Sequence, residues 1–249
     1  MAADELLERS IAAHGGLARY ESANEWTVRL HVDGWALAMR FQRGKFANIT
    51  GTVSTREPRT VLSPYPGPGR RGVLEGNRVR IESESGELIA ERSEPRKAIG
   101  SFRRNLWWDD LDLLYFGGYA LWGYMAAPFV FQRPGFEIEE AEPWRQDGEV
   151  WSGLRVRFRA DIPAHSREQL YYFDEQGLIR RNDYTAEVFG SWARAAHYCR
   201  EHRDFSGLVV PTRRRVMPRR RKGKPVRPIK LVGIAIDDVT PGPADQRYT

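Results

Sequence analysis

From Leu113 to Phe131 the chain runs without a single charged residue, inside the longer stretch WWDDLDLLYFGGYALWGYMAAPFVF that begins at Trp107. A helix apolar on every side has no face for water, so it must be hidden in a bilayer or inside a protein. The run is close to the roughly 20 residues a membrane-spanning helix needs. Three observations favour the protein interior. Gly117, Gly118 and Gly123 weaken a helix, Pro128 ends it, and the flanking segments alternate as strands that would have to form one sheet across the bilayer. The segment is therefore expected to be a helix with no membrane span, buried against the concave face of a sheet. Asp109, Asp110 and Asp112 mark its start, where the helix dipole favours acids.

The flanks set the fold class. Asp4 to His14 predicts an amphipathic helix with Leu6, Leu7, Ile11 and Ala12 on one stripe, ended by Gly15-Gly16, with His14 at the negative end of the dipole. Beyond it the period is two. Trp26, Val28, Leu30 and Val32 alternate with polar residues, and Asp33-Gly34 signals a hairpin into Trp35, Leu37, Met39 and Phe41. Phe46 to Val53, Thr60 to Leu62, Val79 to Ile81 and Leu88 to Glu91 continue the meander, interrupted by the proline loop SPYPGPGRRG. After the aromatic segment, strands are expected near Phe136, over Leu154 to Ala160, Gln169 to Phe173, Leu178 to Val188, Leu208 to Met217 and Ile229 to Asp238. Ala193 to Arg200 reads as either strand or helix. One face is apolar and the other wet. The expected fold is mainly β (α+β): a strongly curved antiparallel sheet of eight to eleven strands, a half-open barrel, with an N-terminal helix and a central aromatic helix in its concave face. Residues 1–240 form one domain, and 241–249 a flexible tail.

Of the 249 residues 41% are hydrophobic, too many for a disordered chain. One cysteine, Cys199, can make no internal disulfide and cannot alone hold a zinc or iron–sulfur site. The first residues, MAADELLERS, lack the basic and apolar regions of a secretory signal, so a cytoplasmic location is expected. The net charge of +6 is local: Arg213 to Lys230 holds ten basic residues and no acid, leaving −4 for the remainder. With no nucleic-acid motif beside it, this strip reads as two strands joined by a solvated turn, RRRKGKP. The alternative is an acidic partner held by Arg213, Arg214, Arg215, Arg219, Arg220 and Arg221.

No G-x-G-x-x-G, P-loop, G-x-S-x-G or H-E-x-x-H occurs, so neither a cofactor nor a metal is expected. His31, His14 and His202 have surface or helix-end explanations. His197 would point inward if AAHYC is a strand, and His165 sits where a loop enters a strand. With Asp183 and Tyr184, these two are the candidates for acid–base work. The ring set is richer than a small core requires, and suits a pocket that also orients a ligand by a few polar tips. Trp108, Tyr115, Tyr119, Trp122, Tyr171 and Trp192 are the candidate ligand contacts, and a plain filled core is the rival.

AHGG near the start, DDLDLLYFGGYALWGY, HSREQLYYFDEQGLIRRNDY and PTRRRV resemble a family of bacterial proteins with no assigned activity. The strand order and central helix are also similar to the lipoprotein-carrier fold, a curved sheet cupping helices over an apolar cavity. That resemblance implies binding of an apolar or aromatic small molecule, lipid-like or polycyclic, with the Trp107–Phe131 segment as lid or plug. The alternative is a cofactor-independent cyclase, isomerase or hydrolase using a histidine base on such a molecule.

Overall fold

A computed structural model describes residues 2–99 and 107–242. Two short helices, α1 (Ala3–Ala13) and α2 (Leu17–Glu21), lead into β1 (Glu25–Asp33) and a single turn, α3 (Trp35–Ala38). A meander follows: β2 (Ile49–Ser54), β3 (Arg59–Ser63), β4 (Arg70–Glu75), β5 (Arg78–Ser83) and β6 (Leu88–Ser93). Helices α4 (Pro95–Ile99) and α5 (Asp110–Ala126) separate it from a second meander. That one runs through β7 (Glu137–Gln146), β8 (Glu149–Arg157), β9 (Glu168–Phe173), β10 (Ile179–Thr185), β11 (Arg194–Phe205), β12 (Leu208–Pro218) and β13 (Val232–Pro241).

All thirteen strands form one antiparallel sheet, and β1 joins its two halves by pairing with both β2 and β13. Val28 lies opposite Gly51 on one side and Val239 on the other. The sheet is not closed and curves into a half-barrel, as expected. Along β1, Trp26, Val28 and Leu30 are buried while Arg29 and His31 are exposed, so the period-two reading holds there. The end of the sheet where β1 stops, β12 stops and β13 starts is called the upper end below.

Helix α5 occupies the concave face, packed on β2 to β5. Asp109 and Asp112 cap it reciprocally, each side chain accepting from the other's backbone N–H. Arg92 donates to both carboxylates at 2.6–3.0 Å, which fixes the helix start to the sheet. Its glycines, read as helix-weakening, instead permit close approach. A methyl group on Gly117 would lie 2.5 Å from the Phe46 ring, and one on Gly118 would lie 2.9 Å from Leu74. Among the described residues no helix is long and apolar enough to cross a membrane.

Several expectations are corrected. The strand Trp35–Phe41 is absent: α3 and a turn stand there, and Trp35, Met39 and Phe41 are exposed. Alternation was a false signal because Ala36 and Leu37 are the buried pair, a spacing that suits one helical turn. Gly34 makes the change of direction, with φ +133° and an added Cβ only 2.3 Å from the Leu231 carbonyl oxygen. Gly34→Ala is therefore expected to cost about 2 kcal/mol, lowering Tm by about 4–8 °C in a thermal melt. An unchanged Tm would contradict this packing.

Strand β4 was hidden behind the proline loop, and β7 runs on past Phe136 through Pro143, which it accommodates at a bulge between Ala141 and Trp144. Ala12 is exposed and Ser10 takes its place on the buried stripe of α1. Pro241 belongs to β13 rather than to a tail, while residues 243–249 lie outside the described residues. The outer face is not uniformly wet either. Trp151, Tyr172, Ala196, Tyr198 and Met217 form a second apolar cluster on it, covered by Trp144 and Leu170.

Candidate functional site

The inner wall is built by alternation. His197 and Cys199 on β11, Arg214 and Val216 on β12, Tyr184 on β10 and Tyr171 on β9 all project inward and are buried. From the opposite side α5 presents Phe116, Ala120 and Tyr124, spaced four apart and so stacked along one face. Between that face and the wall of β1, β2 and β13 lies a cleft of about 40 Å³, with Leu37 of α3 beside it. Apart from Tyr124, every side chain lining it is carbon only. It is wide enough for a water but offers few of the two to four polar partners a buried water needs, so it is a dry space. The rest of the interior is filled by packed rings; Tyr20 stacks on Phe129 at 4.3 Å, for example.

Tyr124 links the cleft to a buried polar cluster. His165 is held between two phenols, Tyr119 on Nδ1 and Tyr124 on Nε2, each at 3.2 Å. Its ring stacks on Tyr184 at 4.0 Å, almost parallel. A neutral imidazole has one donor and one acceptor nitrogen, so one phenol accepts and the other donates. Burial, helped by the Arg96 charge, pushes the His165 pKa down to about 3. Burial likewise pushes Tyr124 up to about 12 and raises Tyr119, Tyr171 and Tyr184, so these phenols keep their protons. His197, fully buried against the Tyr124 ring at 4.8 Å, has no hydrogen-bond partner on either nitrogen among the described residues. Its pKa is lowered first by burial and then by Arg214.

Arg214 is the residue that the sequence reading misplaced. It was grouped with the solvated basic strip, yet only 6% of it is exposed and it faces inward. It donates to the Tyr124 carbonyl at 3.1 Å and to Cys199 Sγ at 3.4 Å, with its guanidinium 4.7 Å from the Tyr124 ring centre. The Tyr124 carbonyl belongs to the last turn of α5, whose negative dipole end suits a cation. Among the described residues the Arg214 Nε has no hydrogen-bond partner and no carboxylate pairs with this side chain. The signal was available: Thr212, Arg214 and Val216 occupy successive inward positions of β12.

The remaining candidates separate. Asp183 points to the outer face, where Arg181 grips it at 2.6 and 2.8 Å and Arg219 stands 3.5 Å away. It cannot partner His165 or His197, because the pleat puts it opposite to its neighbour Tyr184. Trp192 lies on the surface at the upper end. Trp108 packs on Phe116 and Phe189, Trp122 donates to the Ser54 carbonyl at 3.2 Å, and Tyr115 bonds Arg96. None of these three reaches the cleft lining. His202, expected to be exposed, is half-buried and donates to the Ile179 carbonyl at 3.1 Å. His14 donates to the Ser10 carbonyl at 2.9 Å as a neutral ring, so its role at the helix end is hydrogen bonding rather than charge. The basic strip also divides: Arg214 faces in, Arg219 joins Asp183, and Arg220 and Arg221 stay exposed. The cluster as a whole offers phenols, neutral imidazoles and one cation. It holds no acid beside its histidines, which gives the enzymatic reading no support.

Two solved structures share this architecture. A LolA superfamily protein from Nitrosomonas europaea aligns with a TM-score of 0.54 at 12% identity, covering 100% of this chain and 98% of its own. A DUF1329 family protein from Desulfovibrio piger aligns with a TM-score of 0.50 at 10% identity, covering 100% and 95%. The chain thus has a LolA-like fold. No protein-family model matches the sequence, and no curated protein matches it.

Proposed function

We propose that this protein binds an amphiphile, with its apolar chain in the cleft beneath α5 and its anionic head at Arg214. The carrying observation is a buried guanidinium without a carboxylate, adjoining a dry apolar space. Burial of a cation is costly unless it is paired, and the dipole end of α5 supplies only about half an elementary charge. Ile234, which lines the cleft, is the cross-strand partner of Arg214, so chain site and head site are contiguous. The LolA-like fold, a curved sheet cupping helices, supports the same reading.

At about 40 Å³ the cleft is a closed form, and an acyl chain requires it to widen. The element placed to yield is α3, one turn long and tied to the sheet by Trp35 N–H to the Lys230 carbonyl at 3.3 Å and Ala36 N–H to the Leu231 carbonyl at 2.9 Å. Short elements with few anchoring bonds open at low cost.

Displacement of a fluorescent polyene fatty acid by palmitic acid and by 1-hexadecanol tests the proposal. Palmitic acid is expected to bind at least about tenfold more tightly, a difference of about 1.4 kcal/mol. Arg214→Leu should erase that preference while leaving the alcohol's affinity and the fold intact. Ala120→Phe should weaken both ligands about tenfold by filling the chain site. Absence of binding by either ligand refutes the proposal, and an equal affinity for acid and alcohol refutes the role of Arg214.

A further inference from the structure

We propose that the upper end of the half-barrel is a docking surface for an anionic lipid bilayer. Large apolar side chains left in water are unevenly placed. Trp35 is 68% exposed, Phe41 75%, Trp107 55% and Trp192 72%, with Met39 and Ile229 exposed beside them. They come from four separate segments that strand direction brings to one end of the sheet. Among the described residues, Val150 is the exception away from this end, and Leu88 and Ile89 lie on the far edge strand.

These segments touch. Trp35 and Ala36 bond the backbone of Lys230 and Leu231, and Trp108 N–H reaches the Arg40 carbonyl at 3.5 Å. The Arg40 guanidinium lies 5.1 Å from the Phe189 ring centre and 5.8 Å from that of Trp108, tying the β10–β11 loop to both. The rings are therefore one rim rather than scattered exposures, and exposed apolar patches of this kind mark contact surfaces.

Charge selects the occupant. The loop from Arg219 to Lys230 leaves β12 at this end, and its Arg219 N–H bonds the Arg194 carbonyl two residues from Trp192. Arg220 and Arg221 at its start are exposed, as is Arg43 two residues from Phe41; beyond them the loop folds back over the outer face, where Gly223 meets Arg181 and the Trp144 ring. The acids nearest the rim are already engaged, Asp33 with Lys230 at 2.6 Å and Asp110 with Lys45 at 3.1 Å. Tryptophan favours the depth of lipid headgroups, where its ring is amphipathic. Basic side chains within a Debye length of an anionic membrane each strengthen binding about fivefold. Rings flanked by unneutralised cations match a negatively charged bilayer better than an apolar protein groove, which would leave the cations unused. The mouth beside Leu37 then faces the membrane.

Flotation of the full chain with vesicles separates the outcomes. Phosphatidylcholine vesicles containing phosphatidylglycerol should carry the protein up, with a blue shift of tryptophan emission, and pure phosphatidylcholine should carry far less. The double variant Trp35→Ser/Phe41→Ser should lose at least about tenfold in binding, and Arg220→Glu/Arg221→Glu should lose a similar factor. Val150→Ser should change nothing. The proposal is overturned if anionic vesicles leave the protein behind, or if the ring variant floats as well as the parent. It is also overturned if the parent forms a dimer that buries these tryptophans while vesicles are ignored. None of these readouts depends on Arg214 or the cleft, so this inference stands or falls separately from the ligand proposal.

Discussion

Lowering the pH from 7 to 4 is expected to unfold the protein cooperatively, with the loss beginning near pH 6.5. Four imidazoles are buried or half-buried as neutral rings: His14, His165, His197 and His202. In the unfolded chain they take up protons below about pH 6.5. In the folded chain His14 and His202 resist until about 4 and His165 until about 3, each chiefly because burial disfavours the charged ring. Between those limits the unfolded state binds more protons, so stability falls as pH falls. The slope is about 1.4 kcal/mol per pH unit for each ring. Above pH 6.5 they contribute no pH dependence. Against a total stability of about 5–15 kcal/mol, the combined loss is decisive. Urea unfolding midpoints measured across this range give the slope directly. His197→Leu removes a ring whose two nitrogens have no partner among the described residues. It should raise stability at pH 5 and reduce the slope by one proton. A midpoint that stays level from pH 7 to 4.5 would show that these rings are not held neutral.

The second large effect lies on the outer face. Asp183→Ala is expected to cost about 3–5 kcal/mol, because it leaves a buried guanidinium without its carboxylate. Arg181 is 0% exposed and rests 4.0 Å over the Trp144 ring; its other bonds are to the Tyr198 hydroxyl at 3.0 Å and the Gly223 carbonyl at 2.5 Å. Burial raises the Asp183 pKa against the lowering pull of Arg181 and Arg219. Desolvation of the carboxylate thus offsets much of what the pair contributes, whereas removing the carboxylate alone leaves the guanidinium buried and uncompensated. Replacing both partners, Arg181→Met with Asp183→Leu, should recover most of the stability, since apolar groups of similar volume suit the Trp151–Tyr172–Tyr198 cluster. Amphiphile affinity should be unchanged in the double variant. A loss of affinity there would place Asp183 in the binding machinery after all.

What could be read beforehand follows from how many physical signals each element carries. For α5 three agreed: an uncharged run, acids where a cap belongs, and a proline past its end. The clean strands were those with one wet face, such as β1, where alternation is forced by water. Alternation failed where both faces are covered. Tyr198 and Ala196 of β11 are as buried as His197 and Cys199, so neither period was clear and strand and helix could not be separated. At Trp35–Phe41 the apolar period was real, but three of its four residues, Trp35, Met39 and Phe41, are left in solvent and only Leu37 is buried. Composition hid Arg214, because a cation among cations looks like surface until its strand parity is counted. Asp183 failed the same parity test in the other direction: it sits next to Tyr184 in sequence and a sheet's thickness away in space.

The strand order has a consequence for how the protein is made. β1 is the first strand of this sheet to be translated, yet one of its two flanks is completed by β13, the last strand of the sheet. During synthesis the nascent amino-terminal half carries an uncovered strand edge at what becomes the middle of the finished sheet. Such an edge is a template for mispairing with other chains. The two halves can each zip locally from hairpin to hairpin, but they are clasped to one another only when β13 clears the ribosome. Truncation at residue 230 should thus yield aggregation during translation rather than a smaller soluble barrel.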